Sequence, residues 1–193
     1  MRIVDAHVHI LPPEALGTGE PRLGSRMGRR GWRETADGGF YALPPWGDAF
    51  PAEGLIALMD ACGVDAAVIQ QTPLGPQNEW TARAVEAYPH RLAGAMLLEP
   101  RQGWREEMEY WHGRGLRSVK LEMRSLTERT MYPELRYDSP ELVRLFRRAG
   151  ELGLTVTIDP APTDYAVYDP AALGRARSHR IHVAAIWLQR QSC

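Results

Sequence analysis

The chain has 193 residues, a formal net charge of -1 and 44% hydrophobic residues, the profile of a folded domain rather than a disordered or fibrous chain. So even a charge balance gives no electrostatic footing for nucleic acid or a membrane surface as partner, and no apolar run approaches the ~20 residues that cross a bilayer. The two cysteines, Cys62 and Cys193, make neither a disulfide framework nor a zinc knuckle; Cys62 is expected in a helix core. With a strand rather than a signal peptide at the N-terminus, the expected compartment is cytoplasmic.

Residues 2–10 alternate as a strand: Ile3, Asp5, His7 and His9 fall on one face, Val4, Ala6, Val8 and Ile10 on the other. The second face is apolar and suits packing under helices, while both histidines look the same way. Two residues apart on a strand, their Cα atoms stand about 6.5–7 Å apart, close enough for two imidazoles to converge on one ion bound at about 2.0–2.1 Å. Pro12-Pro13 ends the strand. The stretch Ile3-Val4-Asp5-Ala6-His7-Val8-His9 strongly resembles the opening strand of the amidohydrolase superfamily, and most closely its amidohydrolase-related group of decarboxylases and lactonases. That resemblance implies a (β/α)8 TIM barrel with a divalent metal at its C-terminal mouth, zinc first and manganese second, and makes His7 and His9 its ligands. A full barrel typically takes about 250 residues, so an incomplete one is expected.

Residues 11–50 form an insertion rich in Gly, Pro and Arg, which in a barrel lies over the active-site face. Asp37-Gly38-Gly39, between Trp32–Thr35 and Phe40–Leu43, predicts a small hairpin. Arg22, Arg26, Arg29, Arg30 and Arg33 crowd the segment. It is either a solvated basic loop or a lid, and a lid would favour a carboxylate-bearing substrate, because guanidinium forks match carboxylates.

Beyond the insertion the pattern becomes regular. Pro51 opens a helix with the stripe Leu55, Leu58, Met59 and Cys62, ended by Gly63. A buried strand follows over 64–72. Asn78 is placed to cap a helix reaching Tyr88, a third strand spans 91–98, and the next helix ends at Gly113 and Gly115. A fourth strand covers 116–123. Ser139 caps a helix with Pro140 at its first position and Leu142, Leu145, Phe146, Ala149 and Leu152 inside. A fifth strand over 154–159, a helix around 169–177 and a sixth strand near 181–187 complete the series. Strands alternating with helices predict one parallel βα domain over 1–193, an α/β fold of TIM-barrel type with about six of eight units.

Strand four puts Lys120 and Glu122 on the face opposite Val119, Leu121 and Met123; strand five puts Thr155, Thr157 and Asp159 opposite Val156 and Ile158. Charges are rarely buried without partners, so three strands with polar inner faces point to a site. Two readings stand for Lys120 and Glu122, a structural pair across the interior or a catalytic role; Asp159 is a strand-end turn residue, a metal ligand or a general base. His90, His112, His179 and His182 read as surface or structural.

In the resembled group, strand five ends in a metal-binding histidine and strand six in a catalytic one, and strand eight supplies an aspartate. Here Asp159 and Trp187 hold the first two positions. A carboxylate is a competent ligand; an indole is a donor only. The resemblance thus implies a metal-dependent hydrolase (C–N or C–O) or decarboxylase acting on a small carboxylate-bearing molecule. His7, His9 and Asp159 would hold the metal, and Asp159, Glu122 and Lys120 form the catalytic set, the carboxylates moving the proton. The other expectation is a truncated, catalytically inactive barrel fragment. Partners are a small-molecule substrate, with neither nucleic acid nor membrane, and with room for a homo-oligomer.

Overall fold

Single helices join four successive strands of the main sheet, and that alternation settles the topology. The computed structural model describes residues 1–11, 50–71, 77–123 and 135–159, with the backbone alone of short strands at 26–27, 32–34, 40–42 and 183–185. The elements, in chain order, are β1 (Val4–Val8), β2 (Arg26–Met27), β3 (Trp32–Glu34), β4 (Phe40–Ala42), α1 (Ala52–Cys62), β5 (Ala66–Ile69), α2 (Asn78–Ala87), β6 (Leu92–Leu97), α3 (Trp104–Gly113), β7 (Ser118–Glu122), α4 (Pro140–Glu151), β8 (Thr155–Asp159) and β9 (Val183–Ala185).

Six strands pair in the order β1-β5-β6-β7-β8-β9, every neighbouring pair parallel. Sequential parallel strands joined by helices are the opening run of a (β/α)8 barrel, as the sequence pattern predicts. The hairpin expected around Asp37-Gly38-Gly39 is present, Trp32 facing Ala42 and Glu34 facing Phe40. The third strand of that small antiparallel sheet, β2, pairs Arg26 with Glu34 and carries no sequence signal of its own at two residues. The expected helix around 169–177, His179, His182 and Trp187 lie outside the described residues, as do Arg22, Arg29 and Arg30.

The apolar faces of β6–β8 meet α3 and α4 in one cluster that includes Met96, Met108, Leu116, Val119, Leu121, Leu142, Phe146 and Val156. Helix and strand approach closely at Gly94, where a Cβ would come within 2.5 Å of Thr81 Cγ2 on α2. A second cluster joins Leu55 and Met59 of α1 to Ile10, Ala67, Ile69 and Leu92.

Helix α1 departs from the sequence expectation. Leu58 is 44% exposed and Cys62 is exposed rather than part of a helix core. Among the described residues α1 buries a single i, i+4 row, Leu55 and Met59, beside the strand that ends the sheet order. Gly63 does end α1, at φ 68°, with Val64 N–H reaching back to Met59 O at 2.8 Å, the left-handed closure that glycine favours. Two caps differ from expectation. Ser139 holds the N-cap position of α4 but makes no side-chain cap bond, and Asn78 is the first residue inside α2, Gln77 being the cap. Among the described residues, no helix is long and apolar enough to cross a membrane.

Candidate metal and catalytic site

The register of β1 against β5 slips between Asp5, which faces Ala67, and Val8, which faces Ile69. One extra residue on β1 is a bulge, the device by which strands re-aim a side chain. Asp5 Oδ1 accepts the His7 backbone N–H at 3.0 Å within it. Past the bulge, Gln70 N–H returns to Val8 O at 2.8 Å and fixes the end of the strand.

The two imidazoles then meet edge to face, with ring planes at 88° and centroids 4.8 Å apart. His9 Nδ1 stands 2.7 Å from Gln70 O. A carbonyl only accepts, so the proton is on Nδ1 and the lone pair of His9 is on Nε2. That Nε2 is 3.3 Å from His7 Nε2. Two nitrogens bound at about 2.0–2.1 Å to one tetrahedral ion stand about 3.3–3.4 Å apart, so the pair already has a metal bite. A backbone carbonyl holding the far ring nitrogen is the usual support for a ligand histidine.

Burial is the first cause that lowers the His7 pKa, from 6.5 to about 4, with His9 and Lys120 adding to it; Asp159 and Asp5 pull the other way. His9 is lowered as well, again by burial first and then Lys120, against the Gln70 carbonyl and Asp159. Both rings are therefore neutral at neutral pH, the form that binds metal.

The sequence-predicted polar faces come together beside them. In the β7–β8 register Lys120 faces Thr157 and Glu122 faces Asp159, and all four residues are buried. Lys120 Nζ donates to Gln71 O at 2.7 Å, lies 3.1 Å from Glu122 Oε2 and 3.9 Å from Asp159 Oδ2. The ammonium so holds two carboxylates at the C-terminal ends of adjacent strands. Asp159 acts on both histidines electrostatically, yet among the described residues no three His, Cys, Asp or Glu side chains stand close enough to share an ion. The donor set fits a divalent ion at His7 and His9; Asp159 faces that pair without closing on it. His90 is exposed and His112 half-buried on α3.

Sequence reasoning missed Gln70, Gln71 and Asn78. The predicted strand over 64–72 ends at Ile69, whose last partner on β6 is Gly94. β6 runs on to Leu97, and its backbone groups need partners after β5 has turned away. Side chains supply them: Gln71 Nε2 donates to Ala95 O at 2.9 Å, Asn78 Oδ1 accepts Leu97 N–H at 2.8 Å, and Asn78 Nδ2 donates to Leu97 O at 3.1 Å. Gln71 Oε1 also accepts Gln77 N–H at 2.6 Å. Two successive carbonyls, of Gln70 and Gln71, are thereby set to hold His9 and Lys120. The signal was present as two polar residues closing a buried strand, just ahead of Pro73.

Parallel βα units with histidines, carboxylates and an ammonium gathered at the strands' C-terminal ends define a barrel protein of the kind that carries its site on that rim. Residues 4–186 match the amidohydrolase family. The chain belongs to that family. No curated protein matches it. Among solved structures it is similar to a probable 2-pyrone-4,6-dicarboxylic acid hydrolase from Acinetobacter baumannii, determined with citric acid bound, at 16% identity and a TM-score of 0.63, over 96% of this chain and 58% of that one. A putative 2-pyrone-4,6-dicarboxylic acid hydrolase from Pseudomonas putida gives 16% and 0.63, over 95% and 56%. A 2,6-dihydroxybenzoate decarboxylase from Rhizobium gives 15% and 0.58, over 96% and 66%. These likenesses establish the incomplete barrel; the chain spans less than two thirds of the length of each.

Proposed function

We propose that the chain binds one divalent ion, zinc first and manganese second, at His7 and His9, and serves hydrolysis or decarboxylation of a small carboxylate-bearing molecule. The observation that carries this reading is the 3.3 Å separation of two neutral Nε2 atoms, one of them fixed as a bare lone pair by the Gln70 carbonyl. When bound, the ion would supply a Lewis acid able to activate water or polarise a substrate oxygen. The chain's own residues supply the rest. Asp159, which acts electrostatically on both histidines, would be the third ligand. Glu122 or Asp159 moves the proton, and Lys120, bonded to the Gln71 carbonyl, holds the two carboxylates in place. Hydrolysis and decarboxylation draw on the same residues, and relatives of both kinds share the fold.

Metal binding and turnover are tested separately, because the relatives' activities belong to longer chains. Protein loaded with zinc or with manganese and then freed of excess ion is measured by elemental analysis. About one ion per chain is expected, and none in the variant carrying both His7→Ala and His9→Ala. Unchanged metal content in the double variant would overturn the assignment.

A further inference from the structure

Gln70 is 4% exposed, and its backbone is engaged on both sides, N–H to Val8 O and carbonyl to His9 Nδ1. Its side chain crosses the interior of the sheet. Nε2 lies 3.5 Å from Thr157 Oγ1, on β8, two strands beyond β6 in the sheet order. Thr157 is the register partner of Lys120 and lies two residues before Asp159. Gln70 thus touches His9 through its backbone and, through its amide, the strand that carries Asp159. Its Oε1 is buried and, among the described residues, has no hydrogen-bond partner.

A buried amide oxygen without a donor is rare, because its loss of water is not made good. The polar groups around it are engaged. The Gln70 and Gln71 carbonyls hold His9 and Lys120, and the Gln71 amide completes the β6 ladder. The Gln70 head, by contrast, is held by one long bond from its Nε2 and leaves its acceptor unused.

We infer that Gln70 is a substrate-contact residue: its Oε1 receives a hydroxyl or N–H donor of the bound molecule, and so selects hydroxylated carboxylates over their deoxy counterparts. This rests on the proposed metal site for where the carboxylate goes. The selectivity itself comes from a protein atom, and the experiment separates the two.

The probes are malate and succinate, which differ by a single hydroxyl, titrated calorimetrically into wild-type protein with and without zinc. A preference for malate of about five- to tenfold is expected from one added hydrogen bond to a buried acceptor. In Gln70→Met the preference falls to about one while zinc content stays at the wild-type level. In Gln70→Glu, which keeps the acceptor and the shape, it persists, and this variant carries the test if Gln70→Met does not fold. An equal malate preference in wild type and Gln70→Met, loss of the preference in Gln70→Glu, or no preference in the wild type with or without zinc overturns the inference. Wild-type protein that prefers malate but holds no zinc overturns the metal reading and leaves the Gln70 contact standing.

Discussion

Asn78→Ala removes the side chain that stands in for a strand. Its amide meets both backbone groups of Leu97, accepting N–H at 2.8 Å and donating to the carbonyl at 3.1 Å, and it also meets Gln71 Nε2 and Glu107 Oε1. Leu97 and Asn78 are both buried. Truncation leaves a buried N–H and a buried C=O, each costing about 1–3 kcal/mol when unsatisfied. Water reaching the space left by the amide offsets part of that, so a loss of about 2–4 kcal/mol is expected. Asn78→Asp keeps the size and one acceptor but turns the donor into an oxygen facing Leu97 O and the Glu107 carboxylate. At pH 8 it should cost at least as much as alanine, and at pH 5, as carboxylates approach their range of protonation, it should recover a large part. The assay is urea denaturation followed by circular dichroism at both pH values, with the m-value checked for constancy. An Asn78→Ala loss under 1 kcal/mol, or an Asn78→Asp variant as stable as wild type at pH 8, would refute the view that this side chain continues the β6 ladder.

Two further outcomes follow from the buried charges. Lys120→Met takes the cation from between Glu122 and Asp159 and should cost about 3–5 kcal/mol at pH 8; adding Glu122→Leu should recover about half, whereas a loss equal to the sum of the single variants would show that the pair is not coupled. Metal-free protein should lose stability as pH falls from about 6.5 toward about 4, because the unfolded chain protonates His7 at the ordinary 6.5 while the folded chain resists until about 4, with His9 depressed in the same sense. Above pH 6.5 both states hold neutral rings and that contribution is fully present. Replacing His7 with Gln should flatten the slope of the urea midpoint in that window, and an unchanged slope would remove His7 from the account.

The fold was legible because its signals are periodic. Apolar alternation in β7 and β8, a four-residue stripe in α4 and a glycine closing α1 each report a local geometry, and the succession of strands and helices reports a parallel sheet; in β1 the expected apolar face is exposed at Val4 and Ala6 and its register slips before Val8. What periodicity cannot report is what lies beside an element. Leu58 and Cys62 belong to a good amphipathic pattern, but they are exposed, and α1 buries only Leu55 and Met59. Asn78 reads as a cap, but it is the first residue of α2, and its amide is bonded to the Leu97 backbone.

The candidate site divides along the same line. His7, His9, Lys120, Glu122 and Asp159 were readable because each interrupts an apolar strand with a charge or ligand on the inner face, and chain order alone places those faces together. Their mutual arrangement was not readable, since it is set where β5 stops. Had β5 run on in register with β6, the Gln70 and Gln71 carbonyls would be taken up by strand pairing. Because it stops at Ile69, those two carbonyls turn to His9 and Lys120, and the Gln71 and Asn78 amides close the gap on β6. One shortened strand thus fixes the tautomer of His9, just past the end of β1, and the position of the ammonium on β7. The length of β5 is a property of the neighbours it leaves behind, which is why the inward polar residues of β7 and β8 could be read from the sequence, while Gln70, Gln71 and Asn78 and the geometry they set could not.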